Sequence, residues 1–349
     1  MMICIAENRQ GYESPLQILL SSLQRHEPDT DISLFLSNPS SEFLAWIAQN
    51  ERIRVRQFEP SFGAGWNAKP YILRLLLREG HKTVLWLDSD IVINGPFRNK
   101  LRRFPDESLV VAEEALAGRA RKDLNGLRAR RWGFRVGRTL PSVANTCVLR
   151  VGVRHEALLT AWTECMSRSQ YLTAQSLPFS ERPPELAGDQ DALTALLCSD
   201  QFGHIEVAFL FKGRHILQYY GPYGFTFFER VSSMVLGTPP IIHSQAAKPW
   251  ISKQFKPGFK EYLFAVLSDV SPYIVVAKRV GVSQVSSLHW TKPKTRLGSL
   301  MILFGAGSAS LTGMPIALAV DAVRLFKFVA GGARRPFRTV QQLRSGSSA

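Results

Sequence analysis

Two carboxylates, Asp88 and Asp90, close the stretch VLWLDSD, in which Val84 to Leu87 are apolar. Aspartates one residue apart at a strand end can both turn toward one hard divalent cation. Mg²⁺ and Mn²⁺ prefer oxygen ligands and often share their remaining positions with water and phosphate oxygens. The pair alone is weak evidence, because 28 acidic residues yield a D-x-D by chance and a solvated turn would explain it. Its position directly after an apolar run is the stronger point. Three further segments set polar groups beside glycine, proline or tryptophan: GWNAKP (65–70), GDQDAL (188–193) and IIHSQAAKPW (241–250).

The elements that must position these groups alternate in type. MICIAE, ISLFLS and RIRVRQF read as strands, the third half-exposed, and TVLWL as a fourth. Between them, SPLQILLSSLQRH places Leu16, Leu19, Leu20 and Leu23 at helical spacing, SEFLAWIAQN forms a second helix, and PYILRLLLREG a third with Pro70 in its first turn. This β-α-β-α order predicts an α/β fold, a mostly parallel sheet with helices on both faces. Ligands of such sheets gather beyond the carboxyl ends of the strands, where Asp88 and Asp90 fall. Further along, SVANTCVLRV is a strand, RHEALLTAWTECMSR a helix, and a Pro-rich loop leads into a helix that starts near Asp189. IEVAFL and PPIIHS are short strands, the second carrying His243.

The 349 residues carry a formal charge of +15, and it is local. Arg119 to Arg138 holds eight basic residues against Asp123, and Lys292 to the C-terminus nine against Asp321, which together account for the whole excess. A surface made throughout for nucleic acid is therefore excluded, and nucleic acid is not an expected partner. Within the first patch only Trp132 and Phe134 are aromatic, too few for a base-stacking platform, so an acidic acceptor or an anionic surface fits better. Cys4, Cys147, Cys165 and Cys198 form no C-x-x-C pair, which argues against a zinc site or a disulfide framework and fits a reducing compartment. MMICIAENRQ has no secretory pattern, and the body is expected in the cytoplasm.

Taken with LWLDSDIVI and NTCVLRV, the segments above stand in an order and spacing that resembles the GT-A-type glycosyltransferases. The likeness is closest to glycosyltransferase family 8, which includes glycogenin and bacterial lipopolysaccharide galactosyl- and glucosyltransferases. It covers residues 1–255, and its most specific parts are D-x-D and His243-x₄-Lys248-Pro249-Trp250. The resemblance implies a Rossmann-like GT-A domain over 1–255 that moves a hexose from a nucleotide-diphosphate sugar, usually a UDP-sugar, with retention and with Mn²⁺ (or Mg²⁺) bound. It implies Asp88, Asp90 and His243 as metal ligands, Lys248 beside the phosphates, Lys69 on the phosphate or the donor-side carboxylates, and Ser89 among the residues that bind the nucleotide sugar. It places Gln190 and Asp191 near the reacting carbon and Asp189 and Asn145 on sugar hydroxyls.

The chemistry agrees with this assignment. A departing nucleoside diphosphate needs its growing negative charge neutralised, which a bridging divalent ion does, and a carboxylate or amide steadies positive charge on the sugar ring. The chain departs from the family at its first strand. Members commonly hold uracil with a small residue, an Asp and a downstream Tyr; here the positions read Ala6-Glu7-Asn8 and Tyr12, so Asn8 is expected to stand in and a purine donor stays open. Two other readings compete: a sugar nucleotidyltransferase, for which AENRQGYE lacks the Gly-rich signature, and a catalytically silent carbohydrate- or partner-binding protein.

From residue 256 the character changes to a helical, basic and apolar extension. Leu297 to Val320 is free of charge but interrupted by Gly305, Gly307, Gly313 and Pro315 and flanked by Lys292, Lys294, Arg296, Arg324 and Lys327. Monotopic or re-entrant attachment to an anionic membrane is expected ahead of a true span, with the catalytic body facing the cytoplasm and a glycan, glycolipid or anionic acceptor.

Overall fold

The computed structural model describes residues 1–59, 61, 65–115, 126–221, 224–245, 248–251, 258–280 and 288–330. Residues 119–125 of the first basic patch and the tail after 330 lie outside the described residues.

The first half runs β1 (Met2–Glu7), α1 (Glu13–His26), β2 (Ile32–Leu36), α2 (Ser41–Ile47), β3 (Ile53–Gln57), α3 (Lys69–Arg78) and β4 (Thr83–Leu87). Then follow β5 (Ile91–Ile93), α4 (Arg98–Leu101), β6 (Leu109–Glu113), α5 (Leu127–Arg131), β7 (Ala144–Gly152), α6 (Glu156–Ser167), α7 (Ser169–Gln175) and α8 (Asp189–Leu197). The remainder is β8 (Val207–Leu210), β9 (Ile216–Tyr219), α9 (Phe227–Leu236), β10 (Ile241–Ser244), α10 (Phe259–Asp269), α11 (Pro272–Val280), α12 (Arg296–Phe304) and α13 (Met314–Ala330).

Seven strands pair in the order β3-β2-β1-β4-β7-β6-β8, parallel except where β7 runs against β4 and β6. The period of two along each strand sorts side chains between two cores. Ile3, Ile5, Leu85 and Leu87 join Leu16, Leu19, Phe43 and Ile47 of α1 and α2 on one face. Cys4, Val84 and Trp86 join Ile72, Leu158 and Leu193 of α3, α6 and α8 on the other. The mostly parallel α/β sheet is thus observed, helices covering both faces. At its edge, β3 turns Arg54 and Arg56 outward, and Arg56 forms a 2.6 Å pair with Glu79, which keeps another strand from adding there.

A second, three-stranded sheet, β5-β10-β9, positions the site. β5 starts directly after Asp90, and β10 runs antiparallel to it with His243 opposite Ile91. Through that register Asp90 and His243, 153 positions apart in the chain, come together. The outer face of this sheet is covered by α11, whose Tyr273 to Ala277 are buried with Ile18, Val92, Leu217 and Ile242.

The charge-free run does not form one helix. α12 stops at Phe304 and α13 begins at Met314, with Gly313 between them at φ +81°, where an added Cβ would lie 2.9 Å from Val270. Among the described residues no helix is long and apolar enough to cross a membrane. This loop is held to α9 by the buried Arg230, which donates to the carbonyls of Ala309 at 3.0 Å and Ser310 at 3.2 Å. Asp321 of α13 in turn accepts from the Phe227 backbone N–H at 2.9 Å, at the start of α9.

Candidate metal and donor site

The carboxyl edge of the sheet opens into a cleft of about 500 Å³, within the range of small-molecule sites. Asp88, Asp90 and His243 stand on its floor, each offering a ligand atom within 4.8 Å of the others. Backbone pairing sets this geometry: Asp88 N–H donates to the Cys147 carbonyl at 2.9 Å, continuing β4 alongside β7, and Ser244 N–H donates to Asp90 O at 3.0 Å. The Trp86 indole, two residues back on β4, donates to Asp88 Oδ1 at 2.7 Å and fixes that carboxylate.

The residues fit a divalent ion. Asp90 Oδ1 lies buried 3.2 Å from His243 Nε2 with no hydrogen bond formed to it among the described residues, and a buried polar group left so costs about 1–3 kcal/mol. Two carboxylates and an imidazole make an oxygen-rich donor set of the kind Mn²⁺ or Mg²⁺ accepts.

Two lysines face these carboxylates. Lys69, the first residue of α3, is buried and reaches Asp88 at 3.0 Å, Asp189 at 3.5 Å and Thr146 Oγ1 at 2.9 Å. Burial alone would strip its proton; Asp189 and Asp88 outweigh that and raise the amine above its usual range. Burial likewise works against the Asp88 anion, yet Lys69, His243 and the Trp86 indole together hold its carboxyl below the usual value. Asp189 goes the other way, burial pushing it up in spite of Lys69 and Thr146. Lys248 lies in contact with Asp90 and donates to the Ser244 carbonyl at 2.5 Å.

The wall of the cleft that carries Asn145, Gln190 and Gln245 is organised by a residue that the sequence motifs do not mark. Glu114, one residue past β6 and buried, accepts from Gln190 Nε2 at 2.7 Å and Asn145 Nδ2 at 3.2 Å on Oε2, and from Gln245 Nε2 at 2.7 Å on Oε1. Asn145 is held further as its Oδ1 accepts from Cys147 N–H at 3.0 Å. With its amide nitrogen engaged, Gln190 has its carbonyl oxygen left for the cleft that it lines. The signal for Glu114 was the same as for D-x-D: a carboxylate at the end of an apolar run, SLVVAEE.

Of the residues expected here, Ala6, Asn8, Lys69, Asp88, Ser89, Asp90, Asn145, Asp189, Gln190, His243 and Lys248 line this one cleft. Asp191 does not. Its carboxylate is fully buried, accepts from Arg128 Nε at 3.0 Å and turns back to the Gly188 N–H at 3.1 Å at the start of α8. Helical residues two apart point about 200° from each other, so Asp189 and Asp191 cannot share the cleft. Tyr12 also lies behind the lining, buried at 5% exposure with its edge against Trp250. Arg9, Glu114, Gln175 and Phe179 line the cleft from outside the motif segments named above.

No protein-family model matches the chain, and no curated protein does. Among solved structures, the chain is similar to WbbM, a bifunctional glycosyltransferase, at 13% identity over 72% of this chain with a TM-score of 0.49, spanning 47% of that protein. It is similar to the galactosyltransferase LgtC, solved with donor and acceptor sugar analogues, at 18% identity over 72% of this chain and 90% of that one with a TM-score of 0.48. It is also similar to mouse xyloside xylosyltransferase 1, at 15% identity over 70% of this chain and 97% of that one with a TM-score of 0.41. These are glycosyltransferases, the class that the motifs resemble. Such likenesses concern the path of the chain. The chain itself has a mostly parallel α/β sheet covered by helices on both faces, with an Asp-Asp-His cluster that could hold a metal ion at the carboxyl edge of that sheet.

Proposed function

We propose that this chain is a metal-dependent glycosyltransferase that moves a hexose from a nucleoside-diphosphate sugar, in the first instance a UDP-sugar, to a glycan or glycolipid with retention of configuration. The observation that carries the reading is the Asp88-Asp90-His243 cluster, flanked by Lys69 and Lys248, on the floor of the cleft. Those three residues would hold Mn²⁺ or Mg²⁺, which supplies Lewis-acid neutralisation of the diphosphate leaving group. Lys69 adds fixed positive charge beside it, in a partly desolvated site where such charge acts most strongly, and Lys248, its pKa lowered to about 7 by burial, adds a hydrogen-bond donor. Glu114 holds the Gln190 amide so that its oxygen faces the sugar ring, where it steadies positive charge at the anomeric carbon. Asp189, tied to Lys69 and Thr146, and Asn145, tied to Glu114, offer their remaining hydrogen-bonding capacity to sugar hydroxyls. Retention rests on the motif resemblance alone.

The test is a titration of UDP-, GDP- and ADP-sugars with and without Mn²⁺, on the full chain and on Asp90→Ala. Metal-dependent binding and slow donor hydrolysis that vanish in the variant are expected. A folded wild-type protein that binds no nucleotide with any metal overturns the reading in favour of a silent binding protein.

The division into a catalytic body (1–255) and a membrane-associating extension (256–349) is part of the same proposal, with attachment to the cytoplasmic face of an anionic membrane. Its support is a set of exposed apolar side chains on α12 (Leu300, Leu303, Phe304) and α13 (Leu325, Phe326), with Arg296, Arg324 and Lys327 on the same helices. Apolar area and anionic headgroups are what such helices bind. Flotation with vesicles of phosphatidylglycerol and phosphatidylcholine, reversed by high salt, is expected; no flotation at any anionic content refutes it.

A further inference from the structure

The base end of the cleft is built differently from what the motif positions imply. Glu7, the last residue of β1, is buried, and both of its oxygens are filled. Oε1 accepts from the Arg9 backbone N–H at 2.9 Å and from Arg9 Nε at 2.8 Å, and Oε2 from Arg9 Nη2 at 2.7 Å and from Ser89 Oγ. Arg9 Nη2 also lies 3.2 Å from Ser89 Oγ, between the two metal-side aspartates. The guanidinium carbon stands 3.7 Å from the centre of the Tyr12 ring, over its face. Tyr12, 5% exposed, with Arg9 over its ring and Trp250 at 79° to it 5.7 Å away, does not line the cleft, whereas Arg9 does, with its side chain 45% exposed.

We propose that Arg9, and not Tyr12, is the platform on which the donor's nucleobase stacks; this deepens, and rests on, the nucleotide-sugar reading of the same cleft. A guanidinium is planar, delocalised and weakly hydrated, and it stacks on aromatic faces. One face of this group is taken by Tyr12, and the cleft-facing remainder meets the ligand. Glu7 neutralises the charge of Arg9 and locks its plane before any ligand arrives, so the ordering cost falls on folding and not on binding. Lys69 and Lys248 stand against Asp88 and Asp90, whereas Arg9 is paired with Glu7. With no lone pair of Glu7 left for a base edge, stacking supplies affinity with little choice between bases.

The experiment compares UDP, GDP and ADP with inorganic pyrophosphate, each titrated calorimetrically in Mn²⁺ against wild type, Arg9→Ala and the pair Glu7→Gln/Arg9→Ala. The pair is included because the single change leaves a buried carboxylate without its partner. Loss of Arg9 is expected to weaken the nucleoside diphosphates about tenfold, the scale of one cation–π or base-stacking contact. Pyrophosphate, which has no base, should stay within about twofold by the same reasoning. Equal weakening of pyrophosphate would make Arg9 a phosphate ligand and overturn the proposal, as would unchanged nucleotide binding in both folded variants. Wild type that binds no nucleotide at all overturns the donor reading and the platform together, which sets that failure apart from a failure of Arg9 alone.

Discussion

Replacing Glu114 by glutamine changes one atom in the group that orients three amides. Glutamine keeps the shape but offers one acceptor and one donor where the carboxylate accepts from Gln190, Asn145 and Gln245. The less costly orientation turns the new NH₂ toward Gln245, one bond instead of two. Gln245 can answer by flipping its amide, whose oxygen is buried with no hydrogen-bond partner. The Gln190 and Asn145 bonds then persist as neutral ones. Bonds to a charged group contribute about 1.5–3 kcal/mol and neutral ones about 0.5–1.5, so each loses about 1 kcal/mol. If a held Gln190 amide matters in the transition state, a loss of about 1–2 kcal/mol lowers kcat for donor hydrolysis about five- to thirtyfold. The affinity for nucleoside diphosphate in Mn²⁺ should move less than about twofold if, as proposed, these amides face the sugar. Release of nucleotide from the donor sugar and calorimetric titration read the two quantities separately. A folded Glu114→Gln protein with wild-type kcat, or one that loses affinity in step with rate, refutes the assignment.

Asp191→Ala removes the carboxylate that pairs with buried Arg128 and should cost about 3–5 kcal/mol of stability, seen as a large fall in Tm, while the folded fraction keeps its nucleotide affinity. An unchanged Tm with lost hydrolysis would restore Asp191 to the reacting centre. His155, buried with Nδ1 accepting from Gly152 N–H at 2.9 Å, has its pKa lowered to about 4, burial outweighing the Glu107 carbonyl. The unfolded chain therefore takes up this proton first, and its contribution to stability, complete above the unfolded value of 6.5, is lost as pH falls toward 4. That amounts to about 2.5 kcal/mol between pH 7.5 and 4.5. His155→Asn should flatten this part of the pH dependence in urea melts, and equal slopes for both proteins would refute it. Asp90→Asn, which keeps the shape but halves the acceptor capacity, should weaken Mn²⁺-dependent nucleotide binding at least about tenfold at constant Tm; unchanged Mn²⁺ dependence would remove Asp90 from the ligand set.

The half of the site that was legible in the sequence is the half built by short-range pattern. An apolar strand ending in Asp88 and Asp90 carries its own location, since strand ends of parallel sheets are where ligands gather. His243 was legible only through the motif, because its approach depends on the pairing of β5 with β10 across the chain. Asp191 illustrates the limit of motif transfer. The pattern DQDAL marks three polar residues, but the helix that it opens sends the third one inward to Arg128, whose place in a basic run gave no hint of burial. The angle between residues 189 and 191 was available from the helical period and is the physical reason Asp191 lies behind the cleft lining.

Glu114 escaped for a different reason. Its partners lie 31, 76 and 131 residues away, at the head of β7, in the first turn of α8 and just past β10. These belong to two sheets and a helix, and one buried carboxylate draws them together where both sheets reach the cleft. The amides need it because a lone amide at a cleft wall is free to flip, and a flipped Gln190 would present a donor to a carbon that becomes positive. A carboxylate, which accepts and cannot donate, allows a single orientation. The same logic governs Arg9, whose plane is set by Glu7 before a base arrives. In both places an acid next to a strand end orients a side chain that lines the cleft, and such a residue shows itself only once the strands are paired.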